Sequence, residues 1–156
     1  MIAITVDDEP LMLYALSKAV KASPDITSVT EFGSCNEALE WVRNNSVDVA
    51  FLDIAMRGMG GLALAKKIME IHPDCKIVFC TGHEKYAVAA IKLRVSGYLM
   101  EPMSPEEVQE EIDHSKGVRA KENRLTVKCF GNFEVYFHGE RLTFKRTKTK
   151  ELLAFL

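Results

Sequence analysis

The sequence predicts an α/β protein: a doubly wound, five-stranded parallel sheet, then a small C-terminal antiparallel β segment with one helix. Three observations carry this. Five short, nearly continuous apolar runs alternate with stretches of helical periodicity over residues 1–116, as expected of strands buried on both faces. Acids and a hydroxyl collect where those runs stop. Beyond about residue 124 the apolar period shortens to two.

The elements follow in order. Met1–Val6 is a strand that runs into Asp7, Asp8 and Glu9. Pro10 suits the first position of a helix, where its missing N–H costs nothing, and Leu13, Leu16 and Val20 continue at helical spacing. Pro24 and Asp25 break that helix, and Thr27–Phe32 reads as the second strand. Ser34 and Glu37 form a capping box, so a helix is expected over about Asn36–Asn45. Val47–Leu52 is the clearest strand and ends at Asp53. A glycine-rich loop, Arg57–Gly61, leads into a helix marked by Leu64, Ile68 and Ile71, and His72–Asp74 stops it. Lys76–Cys80 is a fourth strand running into Thr81 and Gly82, Glu84–Arg94 a fourth helix, and Gly97–Met100 a fifth strand. Ser104, Pro105, Glu106 and Glu107 start a fifth helix, with serine at the cap, proline next and acids in the first turn.

Residues 117–123 are polar and read as a linker between a first domain, 1–116, and a second segment, 124–156. In that segment Leu125, Val127 and Cys129, then Phe133, Val135 and Phe137, then Leu142 and Phe144 alternate as in an antiparallel meander, and a helix is expected over 150–156. The net charge of −2 hides a split. Residues 1–116 hold 11 Lys and Arg against 18 Asp and Glu, while 117–156 hold 9 against 4. A basic segment behind an acidic domain suits an anionic partner such as DNA, although such a run also serves as a solvated face.

No apolar run approaches the ~18 residues needed to cross a bilayer, and the first residues lack a basic leader, so a cytoplasmic protein is expected. The four cysteines, Cys35, Cys75, Cys80 and Cys129, form no CxxC pair and read as buried reduced thiols. His72, His83, His114 and His138 fall in turns or on helix surfaces and read as surface residues.

Open parallel sheets bind ligands at the carboxyl ends of their strands. Asp7 and Asp8 follow strand 1, Asp53 strand 3, Thr81 strand 4 and Glu101 strand 5. Carboxylates held together repel unless a cation lies between them, and a hard divalent ion such as Mg²⁺ suits oxygen ligands. A carboxylate can also attack phosphorus and become an acyl phosphate. Each residue alone has a plainer use: a helix cap for Asp7 and Asp8, a turn for Asp53 and Thr81, the core for Tyr98.

Together, Asp7 to Pro10, Asp53 with Met56 three residues on, Thr81, and Tyr98 with Pro102 four residues on resemble the receiver domains of two-component signalling, over about residues 1–116. The resemblance implies a flavodoxin-like sheet of order 2-1-3-4-5. It implies Asp53 as phosphoacceptor, Mg²⁺ on Asp7, Asp8, Asp53 and the backbone carbonyl of Ala55, and Thr81 and Tyr98 as the switch pair. It also implies a sensor histidine kinase as partner and a possible homodimer through strand 5 and its flanking helices. Two positions depart from the pattern. Glu101 stands where receivers carry a lysine, and Arg57 stands where a proline often follows Met56. The lysine puts a positive charge on the phosphoryl oxygens, and glutamate reverses it. Phosphorylation is then slowed or uncoupled, unless Glu101 swings to solvent.

Residues 124–156 resemble the start of an OmpR-type winged-helix domain, with the N-terminal sheet and first helix only. The family's third helix reads DNA, so the resemblance implies a DNA-binding parent but no specific binding by this chain. Lys145, Arg146, Lys148 and Lys150 would touch phosphates weakly, and so short a segment is expected to be disordered, to dock on the receiver or to pair between chains. The leading expectation is a phosphorylation-responsive transcriptional regulator, not an enzyme. The alternatives are a pseudo-receiver silenced by Glu101 and a phosphohydrolase with an aspartyl nucleophile. Such hydrolases usually place a second acid two residues after the nucleophile, where this chain has Ala55.

Overall fold

The computed structural model describes residues 1–116, 126–128, 134–137 and 140–141. The first unit runs in the order β1 (Ile2–Val6), α1 (Pro10–Lys21), β2 (Ser28–Phe32), α2 (Cys35–Val42), β3 (Val49–Leu52), α3 (Gly61–Ile71), β4 (Lys76–Thr81), a 3₁₀ turn (Glu84–Tyr86), α4 (Ala87–Leu93), β5 (Gly97–Met100) and α5 (Pro105–Ser115). Its five strands are parallel and ordered β2-β1-β3-β4-β5, as expected.

Strand alternation explains the two cores. Ile4, Val6, Ala50, Leu52, Ile77 and Phe79 face α2 and α3, where Leu39, Val42, Leu64 and Ile68 meet them. Ala3, Val49, Phe51, Val78, Cys80 and Leu99 face α1 and α5, where Leu16, Val20, Val108 and Ile112 complete the opposite layer. With both faces covered, the polar ends of β1, β3, β4 and β5 are left to form a rim.

Helix starts follow the expected chemistry. Pro10 opens α1. The Ser34 hydroxyl accepts from the Glu37 amide at 3.3 Å, and at α5 Ser104 and Glu107 cap each other reciprocally, at 3.2 and 2.7 Å. Several boundaries differ from expectation. α2 ends at Val42 rather than near Asn45, because the Asn44 and Asn45 side chains donate to the carbonyls of Glu40 and Trp41. β3 begins at Val49 rather than Val47, and the Asp48 carboxylate accepts from the Ile2 amide at 2.6 Å. The fourth helix opens as a 3₁₀ turn and closes with Arg94 in the left-handed region, φ 54°.

Two histidines are not the free surface groups expected. His72 is half-buried, with Nε2 2.9 Å from the Val42 carbonyl oxygen, which joins the ends of α3 and α2. His114 is also half-buried, with Nδ1 3.5 Å from a carboxylate oxygen of buried Glu111. Cys35, Cys75 and Cys80 are buried free thiols. Among the described residues, no helix is long and apolar enough to cross a membrane.

Contacts divide the chain into Met1–Ser115 and Lys116–Leu156. In the second unit β6 (Thr126–Lys128), β7 (Glu134–Phe137) and β8 (Glu140–Arg141) form an antiparallel sheet. The expected linker over 117–123, the expected helix over 150–156, Cys129, His138 and the basic residues Lys145, Arg146, Lys148 and Lys150 lie outside the described residues.

Candidate functional site: an acidic pocket at the carboxyl ends of the strands

The sheet brings Asp7, Asp8 and Asp53 together. One carboxylate oxygen from each lies within 4.8 Å of the others. β1 and β3 are adjacent, so the ends of both strands reach the same rim. The Asp53 amide donates to the Val6 carbonyl at 2.9 Å, which fixes the level of Asp53 against β1. Asp7 is buried, its amide bonded to the Phe32 carbonyl at 3.1 Å and its Oδ1 accepting from the Glu9 amide at 2.8 Å. The Asp53 carboxylate accepts from the amides of Ile54 and Ala55 at 2.7 and 3.1 Å. Gly61 explains the glycine-rich approach: a Cβ there would overlap the Asp53 carbonyl oxygen. Gly58 supplies the positive φ of 73° that the loop needs.

Crowded acids carry an electrostatic cost. Burial, then repulsion from Asp53, Glu101 and Asp8, pushes the Asp7 carboxyl up to about 7, against the opposing pull of the Glu9 amide. A cation among the three carboxylates removes that repulsion, and a donor set of oxygens alone suits Mg²⁺. The fit is therefore good.

Thr81 ends β4 one strand from Asp53. It is fully buried, and among the described residues its hydroxyl has no hydrogen-bond partner. Tyr98 on β5 donates from its hydroxyl to the His83 carbonyl at 2.8 Å and ties β5 to the loop after Thr81. Glu101 has not swung to solvent. It is half-buried, and its Oε1 is inaccessible, with no hydrogen-bond partner among the described residues. Burial and the Asp53 charge raise its carboxyl above the usual range, while the Gly82 amide opposes this.

Sequence reasoning missed the part played by Arg57. Its amide donates to Asp8 Oδ2 at 3.2 Å, and its Nε lies 3.7 Å from the same oxygen, so this loop substitution reaches the pocket. The side chain is 98% exposed, which makes the ion pair weak. Cys35, which the sequence marks only as a core thiol, donates from its sulfur to the Met56 sulfur at 3.8 Å.

Residues 3–113 match the response regulator receiver domain family. The chain belongs to that family. It is 34% identical over 113 residues to the sensory transduction protein LytT of Enterococcus faecalis, a match covering 72% of this chain and 47% of that protein. It is also 34% identical to LytR of Staphylococcus epidermidis, over 72% of this chain and 45% of that one. The chain thus spans about half the length of the curated relatives it matches. Among solved structures, the response regulatory domain of mrkE from Klebsiella pneumoniae has a TM-score of 0.68 at 27% identity, covering 76% of this chain and 97% of its own. DrrB of Thermotoga maritima, titled an OmpR/PhoB homolog, has a TM-score of 0.65 at 20% identity over 99% of this chain and 71% of its own.

Proposed function

We propose that this chain takes a phosphoryl group onto Asp53 from a sensor histidine kinase. In the reaction a carboxylate oxygen of Asp53 forms a bond to phosphorus, the P–N bond of the donor phosphohistidine breaks, and the imidazole recovers the electron pair. Asp7, Asp8, Asp53 and the backbone carbonyl of Ala55 would hold Mg²⁺, which when bound neutralises charge developing on the phosphoryl oxygens. The Ile54 and Ala55 amides orient the Asp53 carboxylate. The buried Thr81 hydroxyl is placed to donate to a phosphoryl oxygen, and Tyr98 would pass a shift of Thr81 to the loop at His83. The observation that carries this reading is the three-aspartate cluster one strand from an unpartnered, fully buried hydroxyl.

For the readout, a relative named transcriptional regulatory protein LytR, from Staphylococcus aureus and 28% identical over 79% of this chain, supports transcriptional control. We read residues 1–116 as the receiver, 117–123 as a linker, and 124–156 as the start of a DNA-binding domain. The OmpR-type winged helix is our reading of the sequence pattern over 124–156; the LytT and LytR relatives, matched over 113 residues and under half of their own length, do not bear on it. A homodimer through β5 with α4 and α5 would couple phosphorylation to DNA binding, since phosphate must favour one of two conformations to signal at all. A second reading, a receiver whose state phosphate does not set, draws on the inward position of Glu101. Intact mass after incubation with acetyl phosphate and Mg²⁺ separates the two. A gain of one phosphoryl group, abolished by Asp53→Asn, is expected for the first. No gain, restored by Glu101→Lys, would establish the second.

A further inference from the structure

Among the described residues, two buried oxygens beside the aspartates are left without a partner. Thr81 Oγ1 belongs to a fully buried residue and makes no hydrogen bond, and Glu101 Oε1 is equally inaccessible and equally unpartnered. They sit at neighbouring strand ends, where the Glu101 amide donates to the Thr81 carbonyl at 3.3 Å. The Glu101 carboxylate is held against the end of β4: a Cβ at Gly82 would meet Glu101 Oε2 at van der Waals distance, 3.7 Å. A buried polar atom left without a partner loses its hydration with nothing in return, and the loss is larger when the group is charged. Oxygen acceptors gathered in this way are what a hard cation collects.

Charge points the same way. Asp7 is repelled by Asp53, Glu101 and Asp8, and Glu101 by Asp53 and Glu9, so the rim gathers like charges. Among the described residues, the ion pair that reaches these acids is Arg57 to Asp8, and that side chain lies almost wholly in solvent. A phosphorylated Asp53 carries about −2. With one divalent ion on the aspartates, the pocket then holds a formal charge of about −3. The lysine usual in receivers would leave about −1, and a second divalent ion at Glu101 restores that same value.

We propose that Glu101 Oε1 and Thr81 Oγ1, with Asp53 as the shared carboxylate, form a second divalent-cation subsite whose ion stands in for the lysine ammonium. This rests on the reading that Asp7, Asp8 and Asp53 hold the first ion. The subsite takes hard divalent ions with a preference for oxygen, and its affinity depends on the Glu101 charge.

The experiment is Mn²⁺ stoichiometry on the full chain, by electron paramagnetic resonance or native mass spectrometry, at a pH where the carboxyls are ionised. Wild type is expected to bind two ions. Glu101→Gln, which keeps the shape and removes the charge, is expected to bind one, and that retained ion reports that the variant is folded. Thr81→Val is expected to weaken the second ion at least tenfold while leaving the first unchanged. One ion in both wild type and Glu101→Gln would overturn this proposal and leave the aspartate site standing. Two ions in Glu101→Gln would overturn it as well. No ion in wild type would overturn both.

Discussion

Glu101→Lys is expected to speed phosphoryl transfer to Asp53, and the pocket sets the size of the gain. One charge pair at ~4 Å with an effective dielectric of ~20 is worth roughly 4 kcal/mol, and the change swings two charges. Screening cuts that figure sharply, because Glu101 is only half-buried and a cation held by the aspartates would offset part of the charge. A retained fraction of about 1.5–3 kcal/mol is a rate increase of roughly 10- to 100-fold. The assay is the initial rate of Asp53 phosphorylation from acetyl phosphate, followed by intact mass across a Mg²⁺ titration. At low Mg²⁺ the variant is expected to lead by the full factor. At high Mg²⁺ the gap is expected to narrow, because a cation on Glu101 already supplies the missing positive charge. Equal rates at every Mg²⁺ concentration would refute the electrostatic reasoning.

Further outcomes follow from the same geometry. Asp7 has its carboxyl raised from 3.8 to about 7, so the folded state holds that proton more tightly than the unfolded chain, and the metal-free protein loses stability as pH rises from about 4 to 7. Asp7→Asn is therefore expected to stabilise the metal-free protein at pH 8, by up to about 4 kcal/mol, and to do little near pH 4, as urea denaturation at both pH values would show. Gly61→Ala drives a methyl into the Asp53 carbonyl and is expected to cost about 1–3 kcal/mol together with a loss of phosphorylation; normal stability with normal phosphorylation would contradict the close approach. Tyr98→Phe deletes the bond to the His83 carbonyl, worth about 1 kcal/mol, and is expected to speed amide exchange over residues 82–86 without altering that of β1.

Much of this was legible in the sequence because the signals were local. Apolar runs placed five strands, and Ser34 and Ser104 announced their helices. The acids after Val6 and Leu52 fell on one rim because parallel strands end on the same side. What escaped depended on distant contacts. Asp48 was read as strand, yet its carboxylate is engaged by Ile2, 46 residues away. His72 read as a surface turn residue because nothing near it in sequence reveals the Val42 carbonyl. Arg57 was known to depart from the family pattern, but its reach to Asp8 depends on a loop conformation that glycines set. Glu101 left two readings open, inward or to solvent. Which one holds is decided by packing at the end of β5, and the side chain lies inward.

The central claim, that Asp53 is the phosphoacceptor, is tested most directly by trapping the acyl phosphate. After incubation with acetyl phosphate and Mg²⁺, borohydride reduces an aspartyl phosphate to homoserine, and peptide sequencing by mass spectrometry reads the position. Homoserine at position 53, with Asp7 and Asp8 unreduced and no hydroxynorvaline at Glu101 (the product a glutamyl phosphate would give), is the predicted result. Homoserine at another aspartate, hydroxynorvaline at a glutamate, or a phosphoryl group that survives reduction on a hydroxyl or imidazole, would contradict the account.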